Sequence, residues 1–298
     1  MKSGRFPANG NAGNLGRLMS MGVVWQRNIK GDMMAETPGQ LPQGGAYQNI
    51  ARIHVILDAL AGAGNKGLRM TDVVRITGIN KSAAHRALIG LSAYGLAAHN
   101  EDTSRFYLGD QLFAWVHNAP DRFALAERIL PHINALADDV EDTINFSVRR
   151  GDYAVCYARA EGRSPVQFLT LRVGDSRPLG AGSGTLAIAA YLPEKERERL
   201  LETYDTERMQ YGITRDMMRE NLEATRRNGY AVHPGLIAKE MLGVAVPIRN
   251  SSGEAVASFS VVALRTRLQS PRLEQIVERL RLEAGKAEQA LAALLDGV

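Results

Sequence analysis

Three features of the sequence predict an α+β protein of two domains. Its 298 residues exceed the roughly 100 to 200 that one domain usually takes. From residue 47 apolar residues recur every three or four positions, and at residue 143 the period changes to two, after which strands, helices, strands and a helix follow. Five basic and two acidic groups fall in residues 1–47, seven and five in residues 48–110, and 24 and 25 in the remainder, so the whole positive excess precedes residue 111. That asymmetry permits an anion-binding N-terminal module joined to a near-neutral domain, although the net charge of +4 by itself names no partner.

Residues 1–46 are rich in Gly, Asn, Gln and Pro without a sustained period, which predicts a disordered extension. Met33 and Met34 stand just before the change and are candidate internal translation starts. From Tyr47, the spacing of Ile50, Ile53, Leu57 and Leu60 makes one helical stripe, ended by the glycines at 62–67. A second helix is expected from Thr71, whose hydroxyl would cap it beside Asp72, and Gly78 closes it. After the turn 78–80, a third helix runs over 81–94 with Asn80 as cap, giving a helix-turn-helix. Residues 96–99 and 106–108 read as short strands around a polar tip, the wing of a winged helix ending at residue 110.

The third helix has two unlike faces. Ala84, Leu88 and Leu91 share one side with Ala87 next to them, while Ser82, Arg86 and Ile89 share the other, flanked by His85. The outward side offers donors and no acid. Arg can fork onto guanine and Ser can serve a base or a phosphate, which is the chemistry of a major-groove reader of double-stranded DNA. The contact set expected is Thr71, Lys81, Ser82, Ala83, His85 and Arg86, with Arg105 near the wing tip on backbone phosphate.

A linker over 111–125 leads to the second domain, 126–298, with Pro120 at the join and Leu125, Ile129, Ile133 and Leu136 in helical register. Strands are expected at 143–148, 153–159 and 168–173, helices at 183–191, 193–204 and 214–228, then strands at 241–248 and 256–262. A last helix is expected to run to Leu295, with Ser270 as cap and Pro271 in its first position.

Enzyme chemistry finds little support. Cys156 is the only cysteine, so disulfides and CxxC sites are excluded, and its mid-strand place reads as a buried inert thiol. His54, His85, His99, His117, His132 and His233 have no metal-ligand spacing. Ser183 lies in Gly-Ser-Gly rather than a nucleophile elbow, and 180–184 matches neither phosphate-binding fingerprint, so no cofactor is expected. The charged cluster at 194–202 reads as a solvated helix face. No apolar run approaches the roughly 20 residues of a membrane span, and no signal-peptide run opens the chain, so a cytoplasmic protein with no membrane partner is expected.

Leu68 to Val74, Gly78 to Leu88, Gly95-Leu96 and Tyr107-Leu108-Gly109, taken with Val173 to Leu179, Ala181 to Gly184, Gly229 to Val232 and Gly243 to Ile248, resemble the isocitrate lyase regulator (IclR) family from about residue 47 to 295. The resemblance implies a winged-helix DNA-binding domain, a helical linker and a GAF-like effector-binding domain, assembled as a homodimer or a dimer of dimers. Its partners would be a DNA operator, a small organic-acid effector and RNA polymerase. It places the effector at Leu169, Leu171, Ala181, Gly182, Ser183, Gly184, His233, Gly243, Ser260 and Val262. Many members carry an acid, a cysteine and a second serine where this chain has His233, Gly243 and Val262, so one hydroxyl and one thiol are missing and apolar surface is gained. An acid with a hydrophobic or aromatic body suits such a pocket, its carboxylate held by the amides of 182–184 and His233. The other reading is a GAF-like sensor or enzyme whose winged helix makes protein contacts.

Overall fold

The computed structural model describes residues 48–165, 171–203, 208–234 and 240–298, with the backbone alone at 120–122. The extension expected at 1–46 lies outside the described residues, as does Leu169. The described chain divides into two units between Phe123 and Ala124.

The first unit packs three helices, α1 (Gln48–Ala63), α2 (Met70–Thr77) and α3 (Lys81–Ala93), around Ile56, Leu60, Val73, Ile79, Ala84, Leu88 and Leu91. Gly78 ends α2 at φ 68°, the left-handed turn that a side chain would strain. Asn80 then caps α3 by accepting from the Ala83 amide at 2.9 Å. Thr71 does not cap α2: the helix starts one residue earlier, and the Asp72 carboxylate accepts from the Arg69 amide at 3.2 Å. Strands β2 (Ala97–Asn100) and β3 (Arg105–Leu108) form the expected hairpin, and a two-residue strand β1 (Leu68–Arg69), too short to leave a period in the sequence, pairs with β3. His99 stacks on Phe106 with ring centroids 4.4 Å apart.

Helix α4 (Asp110–His117) starts at the root of this hairpin. The Gln111 amide donates to Gly95 O at 3.1 Å, and a Cβ on Gly109 would stand 2.0 Å from that same oxygen, so only glycine fits there. The linker read as a single lead-in is therefore split between α4 and α5 (Pro120–Arg128), which runs across the unit boundary.

The second unit, from Ala124, holds α6 (Leu130–Val140) and a six-stranded antiparallel sheet. The strands are β4 (Thr143–Arg150), β5 (Tyr153–Ala160), β6 (Ser176–Pro178), β7 (Ala231–Pro234), β8 (Met241–Arg249) and β9 (Ala255–Leu264), in spatial order β6-β5-β4-β9-β8-β7. Residues 171–173 are loop rather than the end of a strand, and the edge is made by β6 instead. Helices α7 (Ser183–Ala189), α8 (Glu194–Glu202) and α9 (Arg215–Asn228) follow in the order expected. Helix α10 (Arg272–Ala290) begins after Ser270, whose hydroxyl bonds Glu274 at 2.5 Å instead of capping, and the helix breaks at Leu291 before α11 (Ala292–Leu295).

Period two gives the sheet two faces. Ile144, Phe146 and Val148 of β4 and Ala257, Phe259 and Val261 of β9 join the core built with α6 and α10. Phe146 and Phe259 lie 5.7 Å apart, both fully buried, and each side chain is worth about 1.5–3 kcal/mol of burial. On this side the buried Asp142 is held by Arg267 at 3.0 Å and Arg272 at 3.3 Å. The opposite face lies under α7 and mixes the buried polar Thr143, Asn145, Ser147, Ser258 and Ser260 with small apolar residues such as Ala154 and Ala245.

Candidate functional site

On α3, Lys81, Ser82, His85 and Arg86 are exposed on one side, and Ala84, Leu88 and Leu91 are buried on the other. Thr71 is exposed in the first turn of α2. Ala83 departs from the expectation: it is buried, and its amide is spent on the Asn80 cap, so it leaves the outward set. Arg105 departs too. Its guanidinium folds back to donate to Lys66 O and Gly67 O at 3.0 Å each, while the wing tip carries exposed Glu101 and Asp102, which repel phosphate. The alternation that placed the arginine near the tip could not reveal carbonyls 38 and 39 residues earlier in the chain.

In the second unit, cross-strand pairing aligns the α7 side of the sheet. Ser260 lies opposite Asn145 and Ala245, Ser147 opposite Ser258 and Cys156, and Gly243 opposite Val262 and His233. Helix α7 presses directly on these rows. A Cβ on Gly243 would come within 2.6 Å of Ser183 Oγ, and one on Gly184 within 3.1 Å of Ser258 Oγ. The structure thus brings together Ala181, Gly182, Ser183, Gly184, His233, Gly243, Ser260 and Val262, while Leu171 stands in the loop at 3.4 Å from Arg159, accepting through its carbonyl.

Three further residues belong to this face. Ser258 restores the hydroxyl that the sequence comparison counts as absent, two residues before Ser260 instead of two after. Asn145 sits between the buried Thr143 and Ser147, and the polar alternation of β4 and of Ser258-Phe259-Ser260 was a readable signal for both. Arg177 left none, because its strand has three residues. Its Nη1 lies 3.6 Å from where a Gly182 Cβ would be, and its guanidinium stands 5.9 Å from the Tyr211 ring centroid.

Electrostatics separate the ionisable groups. Burial pushes the His233 imidazole below its ordinary pKa, the bond to Pro234 O opposes this, and the positive Arg177 adds to the depression. His233 Nδ1 lies 2.6 Å from Pro234 O, so in the neutral ring Nδ1 carries the proton and Nε2 keeps a lone pair. Burial, with Asp175 adding, pushes the Cys156 thiol up to about 12 against the pull of Arg159 and Arg177, which leaves it protonated and inert. Among the described residues no group of three His, Cys, Asp or Glu could hold a metal ion, and no helix is long and apolar enough to cross a membrane.

Residues 50–101 match the IclR helix-turn-helix domain, and residues 117–288 match the C-terminal domain of bacterial transcriptional regulators of the IclR type. The chain belongs to the IclR family. This IclR protein is a DNA-binding transcriptional regulator with a winged helix-turn-helix followed by a mixed helix and sheet domain. It is 26% identical over 244 residues to the regulator BhcR of Paracoccus denitrificans, covering 81% of this chain and 86% of that one. The regulator KipR of Bacillus subtilis is 23% identical over 216 residues, with 72% and 86% covered. Among solved structures, the IclR protein of Thermotoga maritima superposes with a TM-score of 0.67 at 20% identity, over 82% of this chain and 98% of that one. A regulator from Rhodococcus sp. RHA1 gives 0.63 at 26% identity, over 83% and 99%.

Proposed function

We propose that two copies of this IclR regulator set their α3 helices into successive major-groove segments of one operator, and that a small carboxylic acid on the α7 side of the sheet changes operator affinity. The observation that carries the first half is the outward face of α3, where Lys81, Ser82, His85 and Arg86 are exposed together with no acid among them. Pairing of two chains is supported by α4, whose Phe113 and Trp115 are 74% and 55% exposed in a single chain. Arg177 takes the carboxylate, because it is the cation that lies against Gly182 and interacts with His233. His233 does not share that work: neutral, with Nδ1–H spent on Pro234, it offers only an acceptor. The apolar neighbours Ala181, Ala245 and Val262 suit an acid with a hydrophobic body. An aromatic acid has support from two family members of similar sequence, one a Microbacterium hydrocarbonoxydans protein complexed with 4-hydroxybenzoate and the other the p-hydroxybenzoate hydroxylase transcriptional activator of Acinetobacter baylyi.

Nothing but binding is needed. An acid that prefers one arrangement of the chain over another shifts operator affinity by the same coupling, typically about 1–3 kcal/mol. No catalytic role is assigned, RNA polymerase is the partner through which an activator would act, and the cytoplasm is where the operator is met. A gel-shift titration of the chain's own promoter fragment tests this. The fragment should be retarded, a carboxylic acid should move the midpoint, and Arg177→Gln should abolish that movement while leaving acid-free binding intact. Loss of retardation by a folded protein would refute the operator half, and an unchanged acid response in Arg177→Gln the effector half.

A further inference from the structure

The α7 side of the sheet contains two side-chain atoms that no described residue satisfies, Asn145 Oδ1 on β4 and Ser258 Oγ on β9. Asn145 is 2% and Ser258 0% exposed, so bulk water does not reach them. Buried polar atoms are nearly always hydrogen-bonded, and two orphans on one face call for an occupant. They are neighbours. Asn145 pairs with Ser260 and Ser147 with Ser258, which makes Asn145 and Ser258 a diagonal pair on adjacent strands with their side chains on the same side.

Gly184 of α7 lies over the β9 hydroxyls. A Cβ there would stand 3.1 Å from Ser258 Oγ and 3.4 Å from Ser260 Oγ, so any other residue would press a methyl group on them. The glycine is not required by its backbone, since Gly184 lies in the first turn of α7 and shows no left-handed φ.

We infer that Asn145 Oδ1 and Ser258 Oγ together form a subsite for a hydroxyl group of the effector. The chemistry follows from the two orphans. Asn145 Oδ1 only accepts, whereas the Ser258 hydroxyl both donates and accepts. One guest hydroxyl donates to Asn145 and accepts from Ser258, satisfying both. A carboxylate cannot donate and would face the Asn145 lone pairs, and a methyl group satisfies neither atom. Together with Arg177 at the other end, the subsite selects a hydroxy-carboxylic acid, an inference that rests on the reading of Arg177 as the partner of the carboxylate.

The experiment is calorimetry on the full chain with matched pairs, 4-hydroxybenzoate with benzoate and 4-hydroxybutyrate with butyrate. In at least one pair the hydroxy acid should bind about tenfold tighter than its partner, the size expected of one buried hydrogen bond. Ser258→Ala should erase that preference and leave the plain acid within twofold. Gly184→Ala, which crowds Ser258 but leaves its hydroxyl and the Asn145 amide in place, should weaken the hydroxy acid selectively. Equal binding within both pairs, as two atoms satisfied by water alone would give, overturns the subsite and leaves Arg177 untouched, as does a preference that survives Ser258→Ala. Failure of all four acids to bind the wild-type chain takes down the carboxylate reading, and the subsite with it.

Discussion

Arg86 shows how one side chain can be tested apart from its fold. It is exposed on α3, and its neighbours on that helix are anchored by buried Ala84 and Leu88, so replacing it should leave stability unchanged. If Arg86 reads a guanine, Arg86→Ala should cost about 1–3 kcal/mol of operator binding and relax selectivity at one base pair. Gel shifts against single-base operator variants measure both, and unaltered affinity would remove Arg86 from the interface. His233 makes a prediction of a different kind. Its neutral form is favoured in the folded chain, by burial and by the charge of Arg177, while in the unfolded chain it protonates near the ordinary value of about 6.5. Below that pH the unfolded state binds the extra proton, so the contribution of His233 to stability is complete above it and is lost as pH falls. Urea melts at pH 7 and pH 5.5 should therefore show a smaller drop for His233→Gln than for the wild-type chain. An equal drop would assign the loss to other groups.

At the scale of elements, the wing is tied at its root rather than armed at its tip. Arg105 bridges β3 to the carbonyls of Lys66 and Gly67, so Arg105→Ala should lower stability of the first unit by about 1 kcal/mol. Because the side chain is not a tip cation, the slope of log affinity against log salt should stay constant in that variant. A slope shallower by about one unit would instead put Arg105 on a phosphate. The helices of this unit were legible from their apolar period and from Gly78, which stops α2, and Asn80, which caps α3. Ala83 was misread because the helical wheel puts it at the boundary of the two faces, and only the packing decides which side takes it. In the six-stranded sheet, β4, β5, β8 and β9 were readable because each runs eight residues or more, whereas β6 and β7, like β1 of the first unit, have two to four and no period to detect. The site was legible to the same degree. Gly182, Ser183, Gly184 and Gly243 carry a pattern in the chain, but the approach of Arg177 to Gly182 joins side chain to backbone across the start of a helix and leaves no mark in sequence spacing.

For the whole molecule, one α3 helix offers few contacts, and the proposed pairing sets a second copy at a half-site about one helical turn or a multiple of it away. Sedimentation should give a dimer or larger at working concentration, and Trp115→Glu on the exposed side of α4 should shift it toward monomer and weaken operator binding steeply. A monomer that binds a full operator with undiminished affinity would contradict this. The junction between the wing and α4 bears on how such an assembly could respond. Gly95, Gly109 and Gln111 lock the end of α3, the foot of the hairpin and the first turn of α4 into one knot, with no room at Gly109 for even a methyl group. A knot does not flex. A signal that reaches the first turn of α4 therefore meets the end of α3 and the foot of the hairpin together. The effector would then tune the spacing between two reading heads and leave the lettering each one recognises unaltered.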